Sequence, residues 1–325
     1  MSFEKIYQEI KLPTTTSNSP FFEDIQLHLI MFIKLLRDAN KIIMENRKPD
    51  MHIEWKQEGS RTSPVTQADI KANELICNCI NDTFYFEKFV IVSEENKEIL
   101  FNERNNISLD AIWVIDPLDG TSSYINYDVE SASYLDNGFT VNIARLEKRN
   151  KYQPDGSIVT FWKPVFGIIS TPTDNMVYFG GEGIGSYQFT PDNNLLPIGM
   201  NYPKKAEKNF NDILSKRKVR VGISASHCNQ KTKDLITTLF DDNYESYSSG
   251  SSMKFIDVYL GKTDFYPRLG TTMEWDICAA VAIGESCGFN IKIFDESIKC
   301  FSTLNNLTSV VFNKLDLHNP YFIVY

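Results

Sequence analysis

The sequence predicts a layered fold, α+β or α/β, in which helices cover sheet faces across two sub-domains. Amphipathic helical stretches alternate with short apolar runs of strand character, the pattern that layered packing requires. Closely spaced strand candidates over residues 138–189 supply an antiparallel sheet joined by turns. A chain of 325 residues with 42% apolar and 13% aromatic content is too long for one small core and amply supplied to fill buried layers. The Pro/Asn-rich stretch Thr190 to Pro203 marks a boundary. It divides the chain into a loose extension (1–20), an α+β sub-domain (21–195) and an α/β sub-domain (196–325).

After its first turn the extension is rich in Thr, Ser and Pro. From Phe21 to Arg47, Ile25, Leu29, Ile33 and Leu36 recur at helical spacing. Thr66-Gln67-Ala68-Asp69 opens a second helix with a capping-box pattern, continued by Ile70, Ile76 and Ile80. Phe89 to Val92 and Ala111 to Ile115 read as buried strands, each running into an acidic loop. Strands at 138–146, 165–171, 176–180 and 185–189 follow, with Asp128–Asp136 and Glu147–Thr160 as polar surface insertions. The second sub-domain offers a strand at Val219–Ile223, helices at about 229–241, 251–260 and 276–287, and strand-like Thr263–Tyr266 and Phe289–Phe294. Gly181-Glu182-Gly183-Ile184-Gly185 precedes no helix and reads as a turn between strands, not a nucleotide loop.

A net charge of −9 argues against a general surface for nucleic-acid polymers or anionic membranes, although a local pocket can still be positive. The six cysteines form no C-x-x-C pair and read as reduced core thiols. The N-terminus lacks a signal-peptide core, and the apolar stretch Leu27–Leu36 contains His28 and Lys34 and is too short to span a bilayer. A soluble, cytoplasmic protein is expected. No serine nucleophile elbow is present, and His28, His52, His227 and His318 are too scattered for a zinc motif.

Acidic segments carry the chemistry. Glu94-Glu95, Asp116-Pro117-Leu118-Asp119-Gly120-Thr121 and Trp275-Asp276 each border a predicted element. Alone, each has an ordinary reading: a solvated charge run, an Asp-Gly turn with Asp119 as N-cap, and a helix cap at Asp276. Asp69 could likewise serve only the Thr66 cap. Brought together, such acids would repel unless cations sat among them, and hard oxygen ligands without His or Cys point to magnesium. Pro117 stiffens the Asp116–Thr121 run, Gly120 permits close approach to a ligand, and helix-opening N–H groups at Gly120 and Thr121 favour a phosphate oxygen.

Together these segments resemble the lithium-sensitive, magnesium-dependent phosphatase superfamily that includes inositol monophosphatase. The order is an acid (Asp69), Glu94-Glu95, Asp116 to Thr121, and Trp275-Asp276, extended by Ser63-Pro64-Val65-Thr66 and Gly138 to Ala144. The resemblance spans roughly residues 60 to 325 and implies an αβαβα sandwich. It also implies two or three Mg²⁺ ions held by Glu94, Asp116, the Leu118 carbonyl, Asp119 and Asp276, with Glu95 behind them. Asp69 and Thr121, with Glu94, would orient and deprotonate an attacking water, and Gly120 and Thr121 would bind phosphate.

Further motifs are similar to the 3'(2'),5'-bisphosphate nucleotidase branch: Ser224 to His227, Gly250-Ser251-Ser252-Met253-Lys254, Phe265 to Arg268, Thr272-Met273-Glu274-Trp275-Asp276 and Asn319-Pro320-Tyr321. That similarity implies substrate contacts from His227, Ser251, Lys254 and Arg268, since a second phosphate needs cations away from the metals. Each also has a bland reading, as a snorkelling lysine, a paired arginine or a structural histidine. The implied reaction, part of sulfur metabolism, converts adenosine 3',5'-bisphosphate to AMP and phosphate, with the sulfated analogue as a further candidate. Action on inositol monophosphate or on the 1-phosphate of inositol polyphosphates is the alternative within the class, and a non-catalytic nucleotide- or metal-binding protein the alternative outside it. Two departures stand out: Ala280 where the superfamily has Gly, which could narrow the pocket beside Asp276, and Ser122-Ser123-Tyr124 after Thr121.

Overall fold

In the computed structural model, residues 12, 19–48, 51–58, 61–96, 99–127, 138–199, 213, 218–225, 228–294 and 308–325 are described. The polar insertion expected at 128–136, most of the N-terminal extension, and His227 lie outside them.

Helix α1 (Ile25–Asn46) buries Leu29, Ile33, Leu36 and Ile43 along one stripe, as its periodicity predicts. A hairpin of β1 (Ile53–Glu58) and β2 (Arg61–Thr66) leads straight into helix α2 (Gln67–Thr83). Strand β3 (Phe89–Ser93), a helical turn α3 (Phe101–Arg104) and strand β4 (Ala111–Asp119) follow. Next come helix α4 (Thr121–Ile125) and the strands β5 (Thr140–Tyr152), β6 (Ile158–Thr171), β7 (Met176–Gly181), β8 (Gly185–Phe189) and β9 (Leu195–Pro197). Strands β3 to β9 form one sheet in chain order, with β3 and β4 parallel and every later neighbour antiparallel. The expected antiparallel block is therefore continuous with the two strands that lead to the acids.

Residues 147–160 are not simply a surface insertion. They prolong β5 and β6 into a two-stranded ribbon whose outer part is exposed. At its base Glu147 is buried, pairing with buried Arg145, which also binds Glu87 and lies over the rings of Phe21 and Trp113. A guanidinium can be buried there because carboxylates and ring faces replace its water.

The second half contributes β10 (Val219–Ser224), α5 (Gln230–Phe240), β11 (Tyr244–Ser249), α6 (Met253–Tyr259), β12 (Tyr266–Arg268), α7 (Glu274–Ser286), β13 (Ile291–Ile293) and β14 (Phe322–Val324). Strands β10 and β11 are parallel, β14 lies between β12 and β13, and a bridge from Val221 to Phe265 links the two groups. The strand expected at Thr263–Tyr266 begins only at Tyr266, because Asp264 and Phe265 are drawn to the Arg220 carbonyl.

The layers run α1 and α2, then the seven-stranded sheet, then α6 and α7, then β10 to β14, then α5. This is the αβαβα order. Helix α7 is apolar almost all round, as a helix buried on both sides must be. It packs across β4 to β8 on one side and against α6 and β13 on the other. Ala280 is fully buried in that layer and its carbonyl accepts the Tyr259 hydroxyl at 2.9 Å, so its backbone is engaged within the core.

Candidate active site

The acids meet where β4 ends. Asp116 and Asp119 are three residues apart and would face opposite sides of a regular strand, whose side chains alternate with period two. A bulge resolves this: Asp116 pairs with Asn142 and Asp119 with Thr140, leaving Pro117 and Leu118 looped out. Gly120 follows at φ +91°, a left-handed conformation that glycine adopts without strain, and starts α4 at Thr121. The first turn of α7 brings in Asp276, whose Oδ2 accepts the Met273 N–H at 2.8 Å. Oxygens of Asp116, Asp119 and Asp276 all lie within 4.8 Å of one another.

Burial pushes all three carboxyls upward. Asp116 is raised well above its usual range by burial and then by the charges of Glu94, Asp119 and Asp276. Asp276 is pushed up to about 7 by burial and by Asp119. Burial also raises Asp119, against the pull of nearby Lys254. Such a group is unfavourable with every carboxylate ionised and becomes favourable when divalent cations fill it. Three hard carboxylates fit a hard divalent cation rather than a softer metal.

Asp119 Oδ2 is fixed from one side. Asn142 Nδ2 lies at 3.3 Å, Thr140 Oγ1 at 3.5 Å and Ser252 Oγ at 3.1 Å. Ser252 accepts from Asn142 at 2.9 Å and is also 2.9 Å from the Asp276 carbonyl, so one hydroxyl spans β5, β4 and α7. Glu94 stands at the end of β3 with its N–H on the Ile115 carbonyl, and its charge acts on Asp116. Glu95 forms an ion pair with Lys56 of the β1–β2 hairpin.

Asp69 has two jobs. Its Oδ2 closes the capping box, accepting the Thr66 N–H at 2.8 Å and the Thr66 hydroxyl at 2.6 Å. Its Oδ1 accepts the Thr121 hydroxyl at 3.1 Å, which lies 3.2 Å from the Leu118 carbonyl. The capping and functional readings of Asp69 are thus compatible. Burial raises its carboxyl to about 6.

The cationic side is equally compact. Lys254 on α6 is buried, gives its Nζ to the Ser251 carbonyl, and lies over the Tyr266 ring. Burial pulls it down to about 8, opposed by Asp119 and assisted by Arg268. Arg268 gives Nη2 to the Thr271 carbonyl at 3.0 Å, while its buried Nε and the Ser251 hydroxyl have no hydrogen-bond partner among the described residues. Buried donors without partners are rare and fit a ligand that supplies oxygen. Ser251 is held at φ 42°, a left-handed conformation unusual for serine.

Sequence reasoning missed the roles of Asn142, Ser252 and Lys56. The first two lay inside runs already singled out, but nothing in one sequence says which hydroxyl of Ser251-Ser252 turns toward Asp119.

A bulged strand carrying paired aspartates, a distant third aspartate and an adjacent cationic pocket are the parts of a metal-dependent phosphomonoesterase. The chain belongs to the inositol monophosphatase family, whose sequence pattern matches residues 25–314. That family uses divalent metals and acts on phosphorylated small molecules. The chain is 27% identical over 299 residues to the 3'(2'),5'-bisphosphate nucleotidase CysQ of Haemophilus influenzae, covering 91% of this chain and 92% of that one. Against the Escherichia coli K12 protein of the same name it is 28% identical over 270 residues, covering 79% and 87%. The crystal structure of CysQ from Bacteroides thetaiotaomicron superposes with a TM-score of 0.65 at 28% identity, covering 93% of this chain and 98% of that one. An IMPase from Thermotoga maritima shares the fold with a TM-score of 0.57 at 17% identity, covering 91% of each chain. No helix among the described residues is long and apolar enough to cross a membrane.

Proposed function

We propose that this protein is a magnesium-dependent 3'(2'),5'-bisphosphate nucleotidase that removes the 3'-phosphate of adenosine 3',5'-bisphosphate, giving AMP. The observation that carries this reading is the placing of buried Lys254, and the unpartnered donors of Arg268 and Ser251, beside the three-aspartate cluster. A monophosphate needs the cluster alone. A substrate with a second anionic group benefits from a fixed guanidinium and ammonium nearby. The similarity to the CysQ nucleotidases supports the same choice.

In this reading Glu94, Asp116, Asp119, Asp276 and the Leu118 carbonyl hold two or three Mg²⁺ ions, with Glu95 behind them. When bound, those cations make water a stronger nucleophile and offset charge developing on the phosphoryl group. Asp69, fixed by Thr66, orients the Thr121 hydroxyl and serves as general base, and its carboxyl at about 6 is suited to accepting a proton near neutrality. The N–H groups at Gly120 and Thr121 face the phosphate, and Ser251, Lys254, Arg268 and His227 contact the nucleotide. Residues 21–195 then carry most metal ligands, while 196–325 supply substrate recognition and Asp276. The reaction belongs to the cytoplasm, where Cys77, Cys79, Cys228, Cys278 and Cys287 remain free thiols.

The test is phosphate release at fixed magnesium from adenosine 3',5'-bisphosphate, its sulfated analogue, inositol 1-phosphate and AMP, using wild type and Arg268→Ala. We expect the bisphosphate to be preferred, with a KM that rises at least tenfold in the variant and more than that of any monophosphate. Preference for inositol 1-phosphate, or equal KM changes for all substrates, would refute the assignment.

A further inference from the structure

Glu274, two residues before Asp276, has no part in the proposed chemistry yet is among the most heavily bonded side chains in the molecule. It is 1% exposed and opens α7. Its Oε2 accepts the Asn313 N–H at 2.8 Å, and its Oε1 accepts the Lys314 N–H at 2.9 Å and Lys314 Nζ at 2.6 Å. Lys314 Nζ also reaches the Val311 carbonyl at 2.7 Å and Asn319 Oδ1 at 3.1 Å. Asn319 in turn gives its amide to the Met273 carbonyl at 2.6 Å and to Thr272 Oγ1 at 3.2 Å. Main-chain bonds from Glu274 N–H to Leu317 O and from Asn319 N–H to Thr272 O, both 2.9 Å, complete the seam.

The other side of the 311–319 loop is held by Arg104 of α3, itself buried. Its Nη1 gives to Asn313 Oδ1 at 2.7 Å and to the Lys314 carbonyl at 3.2 Å, and its Nη2 to the Leu315 carbonyl at 3.1 Å. Helix α3 belongs to the same connection, between β3 and β4, that begins with Glu94 and Glu95. The loop therefore ties the two acid-bearing segments that flank the Asp116–Asp119 bulge. It does so in an unfavourable backbone state: Asn313 and Leu317 both have φ 59°, and a leucine rarely adopts the left-handed region. At Leu317 that conformation accompanies the carbonyl bond to the first N–H of α7.

We propose that residues 311–319 form a strap, with Glu274 and Lys314 as positioning residues, that holds Asp276 and the Glu94 segment at the spacing divalent cations require. The inference rests on reading Asp276 as a cation ligand. The seam grips the N-terminal turn of α7, so loosening it frees the backbone from which Asp276 projects. Lost preorganisation appears as weaker cation binding, because ordering must then accompany binding.

The test is Mn²⁺ binding to the folded, substrate-free protein, by electron paramagnetic resonance or calorimetry, alongside melting in EDTA. Glu274→Ala and Lys314→Met should weaken Mn²⁺ binding at least tenfold, and Lys314→Arg, which keeps the charge, should recover most of it. Activity should be restored by raising magnesium, so the shift lies in metal requirement more than in kcat at saturation. A purely structural ion pair would lower the melting temperature and leave the binding isotherm of the folded variant unchanged, which would overturn the proposal. If Glu274→Ala does not fold, Asn319→Ala removes the amide bonds to the Met273 carbonyl and Thr272 Oγ1 while leaving Glu274 paired with Lys314. It should weaken Mn²⁺ binding threefold or more, and unchanged binding in the folded variant would refute the strap. Asp276→Asn is the control. Binding equal to wild type in that variant removes Asp276 from the metal set and the underlying reading with it, whereas loss there with intact binding in the strap variants removes the strap alone.

Discussion

Replacing Asp276 with Asn should reverse sign between metal-free and metal-loaded protein. Two ionised carboxylates within the 4.8 Å of this cluster repel by about 3.5 kcal/mol at an effective dielectric of about 20. Burial first, and then part of that repulsion, raise Asp276 to about 7 instead of 3.8. For an acid raised by folding, the native state keeps a proton the unfolded chain has lost, so stability falls as pH rises from 3.8 through about 7 and then levels. That displacement corresponds to on the order of 4 kcal/mol at pH 8, an upper bound because Asp276 retains some solvent contact. Asparagine keeps the shape, can still accept the Met273 N–H, and removes the charge. With an unfolding entropy of about 0.7 kcal/mol per kelvin for 325 residues, the variant should melt about 3–5 °C higher than wild type in EDTA at pH 8. Magnesium at a hundredfold excess over its Kd should then raise wild type by about 2.7 kcal/mol, or roughly 4 °C, and the variant by little. Differential scanning fluorimetry at pH 5.5 and 8, with EDTA or magnesium, reads all four states. A variant less stable than wild type in EDTA, or an equal gain from magnesium in both, would refute the electrostatic account.

Three further perturbations separate other parts of the site. Thr121→Val removes the hydroxyl on Asp69 Oδ1 and should lower kcat at least about a hundredfold with Mn²⁺ affinity intact, as steady-state rates and titration will show. Gly250→Ala would put a methyl carbon 2.2 Å from the Gly138 carbonyl oxygen, forcing the chain before Ser252 away from β5. It should reduce stability by about 1–3 kcal/mol and lower kcat, measured by urea unfolding and turnover. His28, stacked on Phe21 with its Nδ1 on the Phe21 carbonyl, is lowered from 6.5 chiefly by burial. The unfolded chain therefore takes up a proton first, and stability present above pH 6.5 declines as pH falls below it. His28→Gln should flatten that decline, and an unchanged pH profile of the melting temperature would exclude His28 as its source.

What could be read from the residues follows from how local the signals are. The Thr66–Asp69 cap is written in four consecutive residues, and the cores of β3 and β4 in continuous apolar runs, so all were legible. The hairpin β1–β2 was not, since Ile53–Glu58 is mostly polar and Pro64 interrupts its partner, which suits a two-stranded unit outside the large sheet. Strand β11, Tyr-Glu-Ser-Tyr-Ser-Ser, lacks the apolar alternation that would distinguish it from loop. The convergence of Asp69, Asp116, Asp119 and Asp276 came from the family pattern, because no local rule brings residues from such distant segments together. Contacts such as Lys56 on Glu95 or Lys314 on Glu274 depend on tertiary geometry that one sequence does not encode locally.

The order of strands in the second sheet has a consequence for biosynthesis. Strand β14 closes the space between β12 and β13, and α7 must lie against the first sheet before Asp276 can face Asp119. On the ribosome, Asp116 and Asp119 emerge long before either event, so the nascent chain carries them hydrated and without their partner. The three-aspartate cluster is therefore complete only after α7 has been made and laid against the first sheet.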